Sequence, residues 1–372
     1  MAGISRTDTS LVARWWWTID RWNLAALIAI AGIGALMALA ASPPVAERIG
    51  LDTFYFARRQ FVYLLLAIIV MFSVSLLSPK GIRRLAVAGL AASLILMGAV
   101  LFLGSEIKGA SRWLQLGPIS LQPSEFVKPS FAVVAAWMFA EGRLDNQFPG
   151  YVVSTGLFVL TAALLLMQPD VGMTMVVASV WGVQFFLAGL PLILVALIAS
   201  LFIGGGVAAY FTFPHVQDRI DRFLDPAAGE SYQVMRGIEA FQNGGLFGRG
   251  PGEGRVKEVL PDAHADFIFA VTGEEFGLIA CLIIICLFAF VVFRGFSRIF
   301  KGNDLFVLLV VVGLLVQFGL QAIINMASSV HLIPPKGMTL PFISYGGSST
   351  VALAYAMGMV LALTRERPGG VR

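Results

Sequence analysis

The chain has 372 residues, of which 58% are hydrophobic and only 13% are charged, and its mean hydropathy is +0.83. A soluble domain of this length carries about twice that charged fraction, so the composition excludes an ordinary soluble protein. The net charge of +4 is small, and we assign the basic residues to membrane topology and anionic lipids rather than to nucleic acid. Apolar runs of about 20 residues recur along nearly the whole chain, which indicates a polytopic helical membrane protein.

A polar, basic and tryptophan-rich tail covers residues 1–22, and its tryptophans suit the interfacial belt at the entry of a first span. The predicted fold is all-α, with one transmembrane domain of about ten helices over residues 23–364. A long extracytoplasmic loop over residues 214–266 connects helices 7 and 8, and residues 365–372 form a second cytoplasmic tail. The predicted spans are 23–42, 61–78, 85–104, 125–140, 151–168, 171–190, 192–213, 267–293, 304–327 and 341–364.

The distribution of basic residues orients the predicted helices. Ten spans place both termini in the cytoplasm, and the short loops on that side are the basic ones, as the positive-inside rule requires. Arg48, Arg58 and Arg59 fall on the other side and count against this orientation. The basic residues on the cytoplasmic side are Lys80, Arg83, Arg84, Arg143, Arg294, Arg298, Lys301, Arg365 and Arg367.

Four polar interruptions of the apolar pattern share the outer side in this topology. They lie near residues 105–128, 168–172, 214–266 and 328–349. Non-helical backbone at membrane depth persists only where it is buried in protein or lines a wet cavity. The sequence therefore predicts one outward-facing polar cavity over a mostly apolar helical body.

Asp266 lies where the long polar loop meets the start of a membrane helix, two residues after His264. A carboxylate at that boundary is partly desolvated, so it needs charged partners or a raised pKa. This position suits a general base that acts on a lipid-linked substrate. Capping of the following helix is the structural alternative, and one residue could perform both roles.

Cationic side chains at the outer rim are candidates for binding a diphosphate. Lys108 and Arg112 lie in a loop at headgroup depth, and Lys336 precedes the last span. Ordinary lipid headgroups are the alternative partners of such side chains. Glu125 and Lys128 are three residues apart at the start of a helix, so we expect an ion pair that supports the cavity wall.

Three further polar segments each have a structural interpretation beside a functional one. The Gln-Pro-Asp segment at 168–170 either dips back into the protein or forms a tight turn. The glycine-rich segment 244–254 lacks nucleotide-binding spacing, and it either wraps an extended ligand or is a turn-rich connection. Gln317, Gln321 and Asn325 form a polar stripe on one helix, which is typical of helix–helix contacts in membranes.

Histidines and cysteines predict neither a metal site nor a disulfide. His215, His264 and His331 are scattered without ligand spacing. Cys281 and Cys286 lie about 140° apart around one apolar helix, which suits packing.

Six motifs follow one another along the chain. They are Gly109-Ala-Ser-Arg-Trp, Gln122-Pro-Ser-Glu, Gln168-Pro-Asp, Gly244-Gly-Leu-Phe-Gly, His264-Ala-Asp-Phe-Ile-Phe-Ala-Val and Leu340-Pro-Phe-Ile-Ser-Tyr-Gly-Gly-Ser-Ser. In this order they resemble the SEDS family (FtsW/RodA/SpoVE) of bacterial cell-wall synthesis. The tryptophan-rich start, Ala41-Ser-Pro-Pro-Val-Ala and Pro334-Pro-Lys-Gly-Met are most similar to alphaproteobacterial members that act in division.

The resemblance implies a ten-helix glycosyltransferase of the bacterial inner membrane, located at the division septum. Such an enzyme polymerises lipid II together with a class B penicillin-binding protein, an FtsI-like transpeptidase. Other membrane proteins of the division machinery and membrane lipids are implied as further partners, and nucleic acid is not. A RodA-like elongation polymerase, a lipid II flippase and a non-catalytic scaffold of the division machinery are the alternative functions.

The resemblance also implies roles for individual residues. Asp266 is the implied catalytic residue. This chain departs from the usual family pattern at two nearby positions: it has Ala265 where the family usually has Thr, and Asp262 where the family usually has Glu. The residues expected to bind substrate or diphosphate are Lys108, Arg112, Lys336, Ser344 and Ser348. The residues expected to support the cavity are Trp113, Gln122, Glu125, Lys128, Asp170 and His264.

The implied reaction needs both a base and positive charge. The 4-hydroxyl of an acceptor sugar attacks the anomeric carbon of a donor and expels a lipid diphosphate, with Asp266 as the base. Cations at the rim offset the charge of the departing diphosphate. The resemblance leaves room for a divalent cation, Mg²⁺ or Mn²⁺, but no dedicated metal site can be read from the sequence.

Overall fold

The computed structural model describes residues 10–107, 110–117, 119–189, 191–212, 216–217, 220–221, 231–300, 302–334 and 337–366. Lys108 and Lys336, two of the predicted cations, lie outside the described residues. The same holds for His215 and for most of the predicted loop between residues 213 and 230.

The described residues form mostly helices, joined by short turns and two longer connections. In chain order the helices are α1 (Leu11–Thr18), α2 (Arg21–Arg48), α3 (Tyr55–Ser75), α4 (Pro79–Leu103), α5 (Pro123–Leu144), α6 (Gly150–Met167), α7 (Val171–Leu187), α8 (Leu192–Thr212), α9 (Ser231–Gly244), α10 (Val256–Val259), α11 (Ile268–Ile299), α12 (Leu305–Ser329) and α13 (Gly347–Leu363).

Membrane-spanning length and apolar composition occur together in six of the described helices, namely α2, α3, α4, α6, α11 and α12. Two shorter apolar helices, α7 and α13, have 17 residues each. The prediction of a polytopic helical membrane protein is therefore confirmed. Several boundaries differ from the predicted ones: α2 continues to Arg48, α3 and α4 begin already at Tyr55 and Pro79, α11 continues to Ile299 and α13 begins only at Gly347.

A small antiparallel sheet corrects the purely helical prediction. The strands β1 (Ser105–Ile107), β2 (Ala110–Leu116) and β3 (Ile119–Leu121) pair in the order β1-β2-β3 between α4 and α5. Gly117 has φ +64 in the turn between β2 and β3, a conformation that favours glycine. β1 and β3 have only three residues each, and β2 does not alternate strictly between polar and apolar residues, so the sequence of this region resembles a polar loop.

The helix α5 lies at the centre of the bundle and contacts α4, α6, α7, α12 and α13. Glycines let the surrounding backbones approach closely, as is common in membrane bundles. A Cβ at Gly34 of α2 would lie 2.0 Å from the Phe342 carbonyl oxygen. A Cβ at Gly358 of α13 would lie 2.8 Å from the Met71 carbonyl oxygen of α3. These contacts fix α2 against the segment that precedes α13, and α3 against α13 itself.

The glycine-rich segment 244–254 packs onto a kink in α11 at Gly277, where φ is +78. Leu278 N–H donates to the Gly245 carbonyl, and Gly250 N–H donates to the Glu275 carbonyl. The buried Glu274 carboxylate accepts from the N–H groups of Arg255 and Val256. Of the two interpretations of this segment, the structure shows the turn-rich connection, docked by its backbone.

Asp20 joins the two described ends of the chain. It caps α2 by accepting from Trp22 N–H, and its buried carboxylate pairs with Arg294 at 2.8 Å and with Arg298 at 3.3 Å. Arg298 also pairs with Glu366, whose N–H donates to the carbonyl of Thr18. The end of α11 therefore holds the first and last described segments together.

Candidate functional site

Asp266 lines a cavity of about 250 Å³ that opens between α3, the small sheet, α5, α7 and the segments flanking α11 and α13. Five of the predicted site residues line the same cavity, namely Arg112, Trp113, Gln122, Glu125 and Asp170. Further lining residues are Tyr63, Ser120, Met173, Ala265, Gly337, Met338, Thr339, Tyr345, Gly346, Gly347 and Ser349. Residues far apart in the sequence thus surround one polar space.

The backbone around Asp266 is held from two sides. Asn325 Nδ2 donates to the Asp266 carbonyl at 3.0 Å, and Ser344 O–H donates to the Ala265 carbonyl at 2.6 Å. Phe267 is the N-cap residue of α11, and its own side chain makes no capping hydrogen bond. Asp266 precedes it and lines the cavity, and both its capping role and its catalytic role stay predictions.

Glu125 and Lys128 form the predicted ion pair. Their side chains are 4% and 1% exposed, and Lys128 Nζ lies 2.8 Å from Glu125 Oε2. Lys128 also donates to Gln321 Oε1 at 3.0 Å. Gln321 Nε2 in turn lies 3.1 Å from the Thr339 carbonyl and 3.2 Å from Ser349 Oγ. A buried charge pair needs such additional hydrogen bonds to offset its desolvation, and here they connect α5 to the cavity wall.

Arg112 and Asp170 lie together on another side of the cavity. Arg112 donates to the carbonyls of Gln168 at 3.0 Å and Pro169 at 2.6 Å, and its Nη1 lies 3.5 Å from Asp170 Oδ2. Asp170 also caps α7 by accepting from Met173 N–H at 3.1 Å. Of the two interpretations of the Gln-Pro-Asp segment, the structure shows the tight turn. Arg112 remains 32% exposed beside the cavity, so part of its guanidinium can meet an anion.

His264 is an uncharged part of the wall. Its ring packs 4.5 Å from the Phe56 ring and 5.3 Å from the Tyr345 ring, measured between centroids. Burial lowers the pKa of His264 to about 4, so the imidazole carries no charge near neutral pH. Its carbonyl accepts from Tyr345 N–H at 2.9 Å, which ties the turn before Asp266 to the segment before α13.

The two predicted serines use their hydroxyls within the protein. Ser344 accepts from Leu340 N–H at 2.8 Å while donating to Ala265, and Ser348 accepts from Gln122 N–H at 3.0 Å. Among the described residues, the cavity lining includes neither of them but does include Ser349. Substrate binding by Ser344 and Ser348 stays a prediction, and Ser349 is the serine that the geometry favours.

The described part of the chain contains no group of three or more His, Cys, Asp or Glu side chains arranged to hold a metal ion. Glu125 and Asp170 line the cavity, but each carboxylate already lies beside a cationic side chain, Lys128 or Arg112. Asp266 is the third carboxylate of the cavity lining. A divalent cation stays a prediction, and we derive no step through one.

Comparison with known families supports the resemblance seen in the motifs. The sequence profile of the family described as "Cell cycle protein" (FTSW_RODA_SPOVE) matches residues 21–368. This chain belongs to the SEDS family. The resemblance predicted from the six motifs is thereby confirmed over almost the full length.

SEDS relatives cover nearly all of the chain. A protein of Caulobacter vibrioides named "Probable peptidoglycan glycosyltransferase FtsW" is 45% identical over 366 residues, which is 98% of this chain and 94% of that protein. A relative of the same name from Escherichia coli O6:H1 is 35% identical over 93% of this chain and 86% of its own length.

Two solved SEDS-like structures share the fold. A chain in the structure described as "Structural coordination of polymerization and crosslinking by a peptidoglycan synthase complex" gives a TM-score of 0.75 at 28% identity, over 93% of this chain and 97% of that chain. The rod shape determining protein RodA of Thermus thermophilus gives a TM-score of 0.70 at 28% identity, over 94% and 97%.

Proposed function

We propose that this chain is a peptidoglycan glycosyltransferase that polymerises lipid II into glycan strands during septal cell-wall synthesis. The observation that carries the proposal is the position of Asp266. It lines one cavity together with Arg112, Glu125 and Asp170, directly before the start of α11. The names of the SEDS relatives supply the reaction, and the cavity supplies groups with the chemistry that it requires.

In the proposed mechanism Asp266 accepts the proton of the acceptor 4-hydroxyl as that oxygen bonds to the donor anomeric carbon. The bond between the anomeric carbon and the phosphate oxygen breaks, and the electron pair leaves with the lipid diphosphate. Arg112 is placed to offset the charge of the diphosphate, because its guanidinium is partly exposed beside the cavity. Lys108 and Lys336 are further candidate cations from the sequence.

The proposed topology has ten spans with both termini in the cytoplasm. The six long apolar helices supply six of them, and the shorter α7 and α13 supply two more. The remaining two are α5 and α8, of 22 and 21 residues. Both exceed the minimum of about 17 residues for a helical span. In α5 the buried pair of Glu125 and Lys128 occupies positions that are apolar in an ordinary span.

A class B penicillin-binding protein is the proposed partner, since a solved relative of this fold belongs to a complex for polymerisation and crosslinking. Lipid II, membrane lipids and other division proteins complete the proposed set of partners. The septum is the proposed location, because several relatives carry the name FtsW. A fluorescent fusion that labels the side wall and leaves the septum dark would instead favour an elongation role.

Substitution Asp266→Asn tests the proposal. It keeps the size of the side chain and removes the base, so we expect glycan polymer from labelled lipid II to fall at least about a hundredfold. Purified wild-type protein and variant are compared with and without the penicillin-binding partner, and thermal unfolding checks that both are folded. Polymer formation at the wild-type rate by the variant would remove Asp266 as the base. Lipid II transfer between leaflets without any polymer would favour a flippase.

A further inference from the structure

The outer end of α3 presents two tyrosines and an arginine on one face. Tyr55, Arg59 and Tyr63 follow one another at intervals of four residues, so their side chains line up along the helix. Arg59 Nη1 donates to the Tyr55 hydroxyl at 2.8 Å, and its Nη2 donates to the Tyr63 hydroxyl at 3.4 Å. The guanidinium carbon lies 5.5 Å and 6.0 Å from the centroids of the two rings.

The direction of these hydrogen bonds decides what Tyr63 can do. A guanidinium has only donors, so the phenol oxygen of Tyr63 must accept from Arg59. The hydroxyl proton of Tyr63 then points away from the arginine, and the positive charge makes that O–H a stronger donor. Since Tyr63 lines the cavity and Arg59 lies behind it, the polarised O–H group is available to a ligand there.

The position of the Tyr63 ring is fixed by its neighbours. A Cβ at Gly347 would lie 2.4 Å from Tyr63 Cζ, so the tip of the ring packs directly on the first turn of α13. Tyr345 lines the cavity as well, and burial raises its pKa to about 12, so that it also remains a protonated donor. Tyr345 N–H donates to His264, two residues before Asp266. One wall of the cavity thus carries two phenol donors connected to the Asp266 turn.

The size of the cavity restricts what these donors can meet. A volume of about 250 Å³ is below the roughly 300–1,000 Å³ of pockets that enclose drug-sized ligands. It therefore holds the reacting groups, a sugar ring and its phosphate, rather than two whole lipid-linked disaccharides. Negative charge develops on the phosphate as its bond to the anomeric carbon breaks, so a hydrogen-bond donor on the cavity wall can stabilise a phosphate held there.

We propose that Tyr63, positioned by Arg59, donates a hydrogen bond to the departing diphosphate of the lipid-linked donor. This inference rests on the proposed glycosyl transfer and assigns one wall of the cavity to the leaving group. Tyr63 is the binding residue, and Arg59 is a positioning residue that acts through it. The assignment also explains why an arginine is present at position 59 on the outer side, where the positive-inside rule disfavours basic residues.

The test measures both turnover of lipid II and direct binding of undecaprenyl diphosphate to the full chain. We expect Tyr63→Phe, which removes one oxygen, to lower kcat about tenfold or more and to weaken undecaprenyl diphosphate binding by a similar factor. Tyr210→Phe is the matched control, because the Tyr210 hydroxyl bonds to Asp221 outside the cavity. Binding of the diphosphate does not require turnover, so it reports on this inference even if the wild-type chain makes no polymer.

A double-mutant cycle separates positioning from general structure. Arg59→Lys keeps the charge but loses the planar fork, so it should weaken undecaprenyl diphosphate binding in the wild-type background and have little effect in the Tyr63→Phe background. Equal losses in both backgrounds would show that Arg59 does not act through Tyr63. Undecaprenyl diphosphate binding and kcat in Tyr63→Phe equal to those in Tyr210→Phe would overturn the inference altogether.

Discussion

Lys128 holds a full charge inside the bundle, and its partners are within 3 Å. Glu125 neutralises it, and Gln321 connects it to Thr339 and Ser349 at the cavity. The pair therefore links the interior of α5 to Thr339 and to the first turn of α13, on which Tyr63 packs. We expect the pair to affect activity, because a displaced α5 would also displace Glu125, which lines the cavity.

Replacing one member of the pair should lower the free energy of unfolding more than replacing both. Lys128→Met leaves a buried carboxylate without its cation, and we expect a loss of about 3–5 kcal/mol in the free energy of unfolding. Glu125→Gln combined with Lys128→Met removes both charges and should recover most of that loss. Thermal unfolding in one detergent measures both variants beside Arg236→Met, which breaks the half-exposed pair with Glu239 and should change little. A double variant no more stable than Lys128→Met would show that the unpaired Glu125 carboxylate is not what destabilises the single variant.

Single residues were predicted from the sequence when their partners were near in the chain. Glu125 and Lys128 are one helical turn apart, and Asp266 lies at a recognisable boundary between loop and helix. Tyr63 and Ser349 were missed, because nearly 300 residues separate them and only the folded bundle brings both to the cavity. The regular spacing of Tyr55, Arg59 and Tyr63 was the one available signal, and it does not reveal which helix lies opposite.

The glycine-rich segment 244–254 and α11 form one unit at the scale of elements. Gly248 has φ +80, and a Cβ there would lie 2.2 Å from the Glu275 carbonyl oxygen. Gly244 approaches the Gly273 carbonyl in the same way, at 1.9 Å from its ideal Cβ. Lys257, beyond the glycines, donates to Glu275 and to the Ala40 carbonyl of α2. The unit therefore fixes the polar loop just before the turn that carries Asp266.

Substitution Gly248→Ala should weaken the packing of segment 244–254 on α11. The left-handed conformation alone costs about 1–2 kcal/mol for a residue with a Cβ, and the backbone contact adds to it. We expect faster proteolysis within residues 244–260 and a loss of lipid II polymerisation in parallel. The matched control is Gly205→Ala in α8, where a Cβ meets nothing within 4 Å. Protease resistance of Gly248→Ala equal to that of the control would show that the docking is not needed.

Elements were predicted from the sequence as far as their apolar length allowed. Long helices such as α4 and α12 were located by apolar runs. The three strands were missed, because β1 and β3 have only three residues each and β2 does not alternate strictly between polar and apolar residues. The kink at Gly277 was missed because it depends on the glycine-rich segment that packs against it. The start of α13 was placed six residues early, because residues 341–346 are apolar enough to continue a span yet form turns around Ser344.

At the scale of the whole molecule, Asp20 connects parts of the chain that are nearly 350 residues apart. It pairs with Arg294 and Arg298, and Arg298 reaches Glu366. Arg365 donates to the Thr18 hydroxyl and to the Ser75 carbonyl, so the end of α3 joins the same cluster. These contacts lie at the opposite end of α3 from Tyr55 and Tyr63.

Neutralising Asp20 should weaken the bundle without touching the cavity. Asp20→Asn keeps a helix-capping side chain but leaves two arginines without their carboxylate, and we expect a loss of about 1–3 kcal/mol, seen as a lower midpoint of thermal unfolding. Asp52→Asn is the control, because Asp52 forms its pair with Arg58 at an exposed position. Equal unfolding midpoints for the two variants would mean that the buried ion pairs of Asp20 add no stability.

The contact between Glu366 N–H and the Thr18 carbonyl also sets the parity of membrane crossings. Two atoms about 3 Å apart cannot lie on opposite faces of a hydrocarbon layer roughly 30 Å thick. Between them we therefore expect the polypeptide to traverse the bilayer an even number of times, which agrees with the ten proposed spans and disfavours nine or eleven.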